Sequence, residues 1–310
     1  MRTYSFVNYD AAESFAFERQ LEKLRSKVYE VRYPDLVARS LIPDSPDPAQ
    51  DGDEKIRYRQ EDIFGEMKAI SKKADDVPLV EVKGEEFEQK IQDYGLGFKI
   101  SLGEARKAAR LGMDLNSKQA LAARKLSERK VDEILALGDA KAGLKGLLNH
   151  SAVTAADVVN GGSGTAWTTK TAEQILEDMN EPVRAIQLAT KGIFGMGGLT
   201  MLLPNEQYTL IAQKRVPDLN MTVLQFFLSS NKFVTDIVPW WRLDSAASGL
   251  ASDRMVVYPR DPEVLTKEIP SEFEFLAPQE KGYNVYVPGR LVCAGVIVTQ
   301  PKAMVYRGAI

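Results

Sequence analysis

The clearest pattern of hydrophobic and polar positions lies between residues 101 and 149. Ser101 and Glu104 have the spacing of a capping box, which predicts a helix that ends at Gly112. A second helix is predicted from about residue 118 to residue 137. Its hydrophobic stripe is thin and consists of Ala120, Leu121, Val131, Ile134 and Leu135. We therefore expect this helix to lie on a sheet along one edge and to face solvent or a neighbour along the other.

An alternating pattern upstream of these helices predicts a long β-hairpin. Residues 56–60 predict one strand and residues 79–82 begin its return partner, with a polar tip between them. Residues 96–100 alternate in the manner of a half-buried strand. Because a long two-stranded ribbon is marginally stable alone in water, we expect it to lie on its own domain or on a neighbour.

The N-terminal region is predicted to form a helix followed by an extended arm. Hydrophobic residues recur at steps of four and three on one face of this helix, namely Phe17, Leu21, Leu24, Val28 and Val31. This face is expected to pack either on its own domain or on another subunit, and both interpretations stay open. The helix should end at Pro34, and the acidic, proline-rich residues 44–53 are predicted to be extended.

The remaining pattern changes near residue 267. Before it, the sequence predicts a helix that is capped by Thr171 and is kinked or restarted by Pro182. Strands are then predicted over 199–203, 234–238 and 254–258, with short helices over 206–214 and 222–230. After it, only strands are predicted, over 272–276, 283–287, 290–298 and 303–306. This order indicates an α+β or α/β unit, 151–266, inserted into a subdomain formed by the two ends of the chain.

Composition narrows the possible classes of protein. The chain has 310 residues, of which 44% are hydrophobic and 27% charged, so it can bury a substantial core. A formal net charge of −3 gives no overall basic field for nucleic acid. The single cysteine, Cys293, excludes an internal disulfide framework. No hydrophobic run approaches a membrane span, and residues 1–10 lack the features of a signal peptide, so we expect synthesis in the cytoplasm.

Candidate catalytic groups are few. The only histidine is His150, so neither a His-based triad nor a multi-histidine metal site can be built within one chain. His150 and Cys293 are both interpreted as structural residues. Trp240 and Trp241 are interpreted as core or interface residues, because no basic residues surround them as in a platform for stacking bases.

Two segments imitate phosphate-binding loops. Residues 164–171 resemble a Walker A motif but lack the glycine directly before Lys170, and residues 192–198 are glycine-rich but follow a helix. Both are interpreted as turns. We therefore expect no catalytic residue, no metal site and no cofactor.

Short motifs in a fixed order run through nearly the whole chain. They are Leu41-Ile42-Pro43, Ile56-x-Tyr58, Asp62-x-x-Gly65, Pro78-x-Val80-x-Val82, Gly97-Phe98-x-x-Ser101-x-x-Glu104-Ala105, Gly112-x-x-Leu115, Ala122-Ala123-Arg124, Gly146-Leu147-Leu148-Asn149-His150 and Gly295-Val296-x-Val298-x-x-Pro301-x-Ala303. In order and spacing the chain resembles the major capsid proteins of tailed bacteriophages, whose fold is shared with encapsulins.

The resemblance implies an α+β capsid fold with four parts. These are an N-terminal helix and arm (1–54), an extended loop or E-loop formed by the ribbon (55–100), a peripheral domain with the spine helix (101–150 and 267–310) and an axial domain (151–266). It also implies that the ribbon lies across a neighbouring subunit and that the arm reaches under or along another one.

The function implied is structural rather than enzymatic. Many copies, as hexamers and pentamers, would close into an icosahedral shell that encloses double-stranded DNA without sequence-specific binding. Implied partners are a portal protein and possible scaffolding and decoration proteins, with no membrane. The location would be the virion capsid, assembled in the bacterial host cytoplasm. Because the sequence starts with the arm, we expect a separate scaffolding protein or none.

The candidate contacts between subunits lie on the N-terminal helix, the ribbon and the spine helix. They are Phe17, Leu21, Leu24, Val28, Arg57, Tyr58, Lys68, Lys72, Lys73, Arg124 and Glu128. A weaker hypothesis is that a lysine at the ribbon tip forms an isopeptide bond with an asparagine of a neighbour. Two alternative functions are the shell of an encapsulin-like compartment that stores an enzyme, and a soluble α/β enzyme that uses carboxylates and a bound metal.

Overall fold

The computed structural model describes residues 34–67, 79–101, 103, 106, 110, 115–162, 164–217 and 219–310. The chain divides into two units, Met1–Asp35 and Leu36–Ile310. Of the first unit only Pro34 and Asp35 are described, and both are exposed. The predicted N-terminal helix therefore lies outside the described residues, and the fold below is that of the second unit.

Six α-helices have defined bounds in the described part of this unit. They are α1 (Ala38–Leu41), α2 (Leu115–Leu137), α3 (Ala172–Ala189), α4 (Asn205–Gln213), α5 (Val223–Ser230) and α6 (Ser245–Ser248). Short 3-10 helices span Trp241–Leu243 and Pro301–Ala303. Helices α3 and α5 begin with complete capping boxes, built by Thr171 with Gln174 and by Thr222 with Gln225, which satisfy their first amides.

A five-stranded sheet forms the centre of the unit. Its order is β5 (Thr154–Asp157), β15 (Val305–Gly308), β8 (Arg254–Pro259), β6 (Leu199–Leu203) and β7 (Val234–Pro239). Strand β15 is parallel to β5 and antiparallel to β8, and β6 is parallel to β7. All five residues of β6 are buried, which confirms the predicted buried strand over 199–203.

The sheet separates two hydrophobic cores because neighbouring residues of a strand point to opposite faces. On one face Met201, Val257 and Val305 pack with residues of α3, α4 and α5. On the other face the residues next to them pack with the second half of α2 and with Leu147 and Leu148; they are Leu202, Val256 and Tyr306. The sheet is therefore covered on both sides.

Smaller sheets surround this centre. Antiparallel sheets are formed by β10 (Ser271–Phe275), β13 (Gly289–Cys293) and β3 (Gln92–Gly95); by β11 (Gln279–Lys281), β12 (Asn284–Val287) and β4 (Phe98–Ser101); and by β14 (Gly295–Val298) with β9 (Leu265–Glu268). Strands β1 (Lys55–Phe64) and β2 (Glu81–Lys90) pair over ten residues each as a separate antiparallel ribbon. The predicted hairpin is thus confirmed.

The predicted spine helix is present as α2, but its burial differs from the prediction. Val131, Ile134 and Leu135 are fully buried, whereas Leu121 is exposed. Ala123 and Ser127 are buried in its place. The sequence pattern was misread there because a charged, alanine-rich half-helix contains no continuous hydrophobic stripe to indicate which side faces the protein.

Three predicted details differ from the structure in whole or in part. The single strand expected over 290–298 is broken at Ala294, and the next residue, Gly295, has φ +80° and lies against the Lys145 carbonyl. Helix α3 continues through Pro182, so it does not restart there, and the alternative of a kink stays a prediction. The last strand comprises Val305–Gly308 and joins the central sheet with strands of residues 151–266. The proposed division into peripheral and axial domains stays a prediction.

Part of the arm lies on its own chain, and the expectation that the arm reaches under or along another subunit stays a prediction. The Lys267 ammonium donates to the carbonyls of Arg39 and Ile42, at 2.8 and 2.9 Å. Tyr258 donates its hydroxyl to the Leu41 carbonyl at 2.7 Å, and Leu41 is buried in the core. Buried hydrogen-bonding groups are rarely left unpaired, so β8 and β9 fix this segment in place.

Candidate assembly surface

The ribbon extends from the body of the subunit and is joined to it near its base. There the Gln89 side-chain amide donates to the Ala294 carbonyl at 2.8 Å. The two strands are also held together at this end by the Ile91 amide, which donates to the Glu54 carbonyl at 3.0 Å. Residues 81–88 of β2 are all exposed. A two-stranded ribbon with both faces in water has little to stabilise it beyond its own pairing.

Cross-strand pairs hold the register of the ribbon. Tyr58 stacks on Phe87 with ring centroids 5.4 Å apart. Further along the strands, Lys55 pairs with Glu88 at 3.1 Å and Arg59 with Glu86 at 3.2 Å. Exposed ion pairs of this kind contribute little to stability, so they define which residues face each other more than they anchor the ribbon.

The far end of the ribbon carries exposed hydrophobic side chains. We call residues 60–67 and 79–86 the distal ribbon end; its exposed hydrophobic residues are Ile63, Phe64, Met67, Leu79, Val80 and Val82. Met67 is fully exposed and Leu79 is 84% exposed. Clustered apolar side chains in water mark surfaces that bind another molecule. The sequence signal lies in the apolar pairs Ile63-Phe64 and Leu79-Val80, of which only the second falls in a predicted strand.

A second exposed surface lies on the first half of α2. Residues spaced by three and four positions share a helix face, and this exposed set, the outer helix face, consists of Lys118, Leu121, Ala122, Lys125, Leu126 and Arg129. Leu121 and Leu126 are 58% and 51% exposed. The outer helix face therefore mixes cationic and apolar groups.

Four of the predicted contact residues lie among the described residues of β1 and α2, outside the distal ribbon end and the outer helix face. Arg57 is exposed and lies 3.9 Å from Glu88, and Tyr58 is in the aromatic stack. Arg124 lies with its guanidinium 5.9 Å from the ring centre of Phe275, and Glu128 pairs with Arg39 at 3.1 Å. The other seven lie outside the described residues; they are Phe17, Leu21, Leu24, Val28, Lys68, Lys72 and Lys73. Their role as contacts stays a prediction.

The two segments that imitate phosphate loops are turns, as predicted. The Lys170 ammonium is buried, where it donates to Asp178 Oδ2 at 2.6 Å and to the Val159 carbonyl at 2.7 Å. Trp167 donates its indole N–H to the same carboxylate at 2.9 Å. The Lys170 ammonium therefore forms a buried structural ion pair and is not positioned to bind a phosphate group. Residues 192–198 form the turn between α3 and β6.

Trp240 and Cys293 have the structural roles expected of them. Trp240 is buried in the core that the central sheet forms with α2, Leu147 and Leu148. Cys293 is buried in β13, and burial raises the pKa of its thiol to about 11. A thiol with so high a pKa is protonated at neutral pH and is a poor nucleophile.

A small cavity of about 210 Å³ is lined by Trp167, Gln207, Asp253 and Ile310 together with four neighbouring residues. Asp253 accepts hydrogen bonds from the Ser245 amide and hydroxyl, at 2.9 and 2.7 Å, and from the Gln207 side chain at 3.0 Å. The carboxylate is thus engaged by the protein itself. Within the described residues, no group of three or more His, Cys, Asp or Glu side chains is placed to hold a metal ion.

Because His150 is partly buried, we expect the folded subunit to lose stability in acid. Burial, with a smaller contribution from Lys145, lowers the pKa of its imidazole to about 4. A base whose pKa is lower in the folded state stabilises the fold above its unfolded pKa, and this contribution is lost as the pH falls toward 4. We expect His150→Gln to reduce the difference in unfolding free energy between pH 7.5 and pH 5 by about 1–2 kcal/mol. Equal acid sensitivity in urea unfolding of both proteins would contradict this assignment.

Comparison with known proteins agrees with this geometry. Residues 65–310 match the family described as Major capsid protein. The structure is similar to the capsid of Myoviridae phage XM1, with a TM-score of 0.80 and 15% identity over 94% of this chain and 98% of that one. A search of curated protein sequences found no match. No helix in the described part of the chain is long and apolar enough to cross a membrane.

Two further solved structures share the fold. The capsid of a native GTA particle has a TM-score of 0.63 and 10% identity, covering 96% of this chain and 98% of that one. A virus-like particle from Pyrococcus furiosus has a TM-score of 0.50 and 13% identity, covering 87% and 91%. The fold is thus that of the capsid subunits of tailed phages. The chain belongs to the major capsid protein family, and its function is that of a structural capsid protein.

Proposed function

We propose that many copies of this chain close into the icosahedral shell of a tailed phage around packaged double-stranded DNA. The exposed ribbon carries this proposal, because its apolar distal end gains little from its own subunit and would be covered in an assembly. Hexamers and pentamers would be held by several modest contacts per subunit acting together.

The shell would have partners beyond other copies of the chain. We infer a portal protein at one vertex, with scaffolding and decoration proteins as possible additions. The ribbon would lie across a neighbour as the E-loop, and the central sheet with α3, α4 and α5 would form the axial domain. The particle would be assembled in the host cytoplasm and would have no enzymatic role. A net charge of −3 suits a genome that is enclosed rather than bound by sequence.

Purification of the full chain tests this function. We expect megadalton particles on a sizing column and closed icosahedral shells by negative-stain microscopy. A well-folded monomer that forms no particles under any assembly condition would contradict the proposal. Shells isolated from the native source should contain double-stranded DNA, whereas shells filled with an enzyme would show a storage compartment instead.

A further inference from the structure

The loop between β5 and α3 contains the one asparagine of the chain that is followed directly by glycine, Asn160-Gly161. Asn160 is exposed and lies in neither a helix nor a strand. The side-chain amide of an asparagine can be attacked by the backbone nitrogen of the next residue, and a side chain on that residue hinders the attack. Gly161 has no side chain, so its nitrogen can approach the Asn160 Cγ atom without this hindrance.

Two backbone amides hold the carbonyl group of the Asn160 side chain. Asn160 Oδ1 accepts hydrogen bonds from the Gly162 amide at 2.9 Å and from the Gly164 amide at 3.1 Å. Attack on Cγ places negative charge on Oδ1, and donors that already point at this oxygen stabilise the charge as it develops. The two amides therefore act on Asn160 as an oxyanion hole acts on a substrate carbonyl.

The other atoms of the reaction are also free to react. Among the described residues, none accepts a hydrogen bond from the Asn160 side-chain nitrogen, which is the group that must leave. The Gly161 N–H donates to the Gly164 carbonyl at 3.1 Å. This bond is lost when hydroxide removes the proton, and a single hydrogen bond near solvent is a small obstacle to that step.

We propose that Asn160 is a site of spontaneous deamidation, at which the side-chain amide becomes a carboxylate without an enzyme. Hydroxide removes the Gly161 N–H proton, and the nitrogen then forms a bond to the Asn160 Cγ atom. The bond from Cγ to the side-chain nitrogen breaks, and this nitrogen takes a proton from water and leaves as ammonia. Water opens the resulting succinimide ring at either carbonyl, so one water is consumed and aspartate or isoaspartate stands at position 160.

The two products differ in their effect on the loop. Aspartate keeps the course of the main chain, and its carboxylate accepts from the Gly162 and Gly164 amides more strongly than an amide oxygen does. Isoaspartate lengthens the main chain by one carbon and therefore moves Gly161. The Gly161 carbonyl accepts from the Gln174 side chain at 3.0 Å, and Gln174 completes the capping box of α3. We therefore expect isoaspartate, but not aspartate, to weaken the start of α3.

Peptide mass spectrometry of the purified, folded chain after incubation tests this site. We expect conversion at Asn160 to be at least about tenfold faster than at Asn284, which is equally exposed but precedes a β-branched valine in the paired strand β12. Between pH 7 and pH 9 the rate at Asn160 should rise by at least about tenfold, because hydroxide removes the proton. Electron-transfer fragmentation distinguishes isoaspartate from aspartate.

Two variants separate the chemistry of the site from its effect on the fold. In Gly161→Ala the nearest atoms to the new Cβ belong to the flexible Gln174 side chain, at 3.0 Å, so this variant should fold. It should deamidate at least about tenfold more slowly than the unaltered chain. Asn160→Asp should unfold at the urea concentration of the freshly prepared chain, whereas incubated chain that contains isoaspartate should unfold at a lower one.

The same chain unfolded in urea is the reference for the effect of the loop. Conversion of Asn160 in the folded chain that is faster than in the unfolded chain, or slower by no more than about threefold, supports the proposal. A folded chain that converts more slowly than this shows that the loop protects Asn160, and the proposal is then wrong. Equal rates at Asn160 and Asn284, or an unchanged rate in Gly161→Ala, also overturn it. None of these measurements requires shells, so the proposed function is tested separately.

Discussion

Replacement of Asp132 by asparagine should destabilise the subunit by about 3–5 kcal/mol, because it leaves a buried guanidinium without its counter-charge. Asp132 Oδ2 accepts a hydrogen bond from Arg242 Nε at 2.6 Å, and both residues are buried. Asp132 Oδ1 accepts from the Ala38 amide at 3.0 Å. One carboxylate therefore joins α2, the arm and the segment after β7.

Urea unfolding of unassembled subunits measures this effect. The matched control is Glu133→Gln, which removes the same charge from the next residue, whose ion pair with Lys130 at 3.2 Å is partly exposed. We expect the control to change the unfolding free energy by at most about 0.5 kcal/mol. Similar losses in the two variants would show that the buried pair with Arg242 has no special role.

The same ion pair shows what the sequence could predict and what it could not. Capping residues such as Thr171 and short apolar runs such as 199–203 act over a few neighbours, so their helices and strands were predicted close to their observed bounds. Asp132 and Arg242 are 110 positions apart, and both read as surface charges in the sequence. No local pattern reveals such a pairing, because it arises only when the chain has folded.

The exposed surfaces of the ribbon and of α2 could also be predicted only in part from the sequence. The ribbon was predicted from the alternation of its strands and from the marginal stability of an isolated hairpin. Its apolar distal end was missed, because Leu79 and Val80 read equally well as buried strand residues. The prediction for α2 was also wrong at Leu121, which was expected to be buried and is exposed. Burial of a single residue depends on which elements pack against it, and a short sequence window does not contain that information.

Replacement of Gly146 by alanine should cost at least about 3 kcal/mol, from steric overlap and from lost hydrogen bonds at the end of α2. A Cβ at this position would lie 2.4 Å from the Ala136 carbonyl oxygen and 2.5 Å from the Gly138 nitrogen, and both are backbone atoms. The amides of the next two residues donate to the last turn of α2, Leu147 to the Leu135 carbonyl at 2.8 Å and Leu148 to the Ala136 carbonyl at 2.9 Å.

The expected loss follows from the close approach of the two backbones. A side chain at position 146 would push the segment away from the helix, so the carbonyls that it caps would lose their donors, and Leu147 and Leu148 would shift in the core. The control is Gly95→Ala in β3, where the nearest atom to a new Cβ is 3.9 Å away. It should change the unfolding free energy by at most about 0.5 kcal/mol. If both variants unfold at the same urea concentration, close contact at Gly146 does not limit the stability of this subunit.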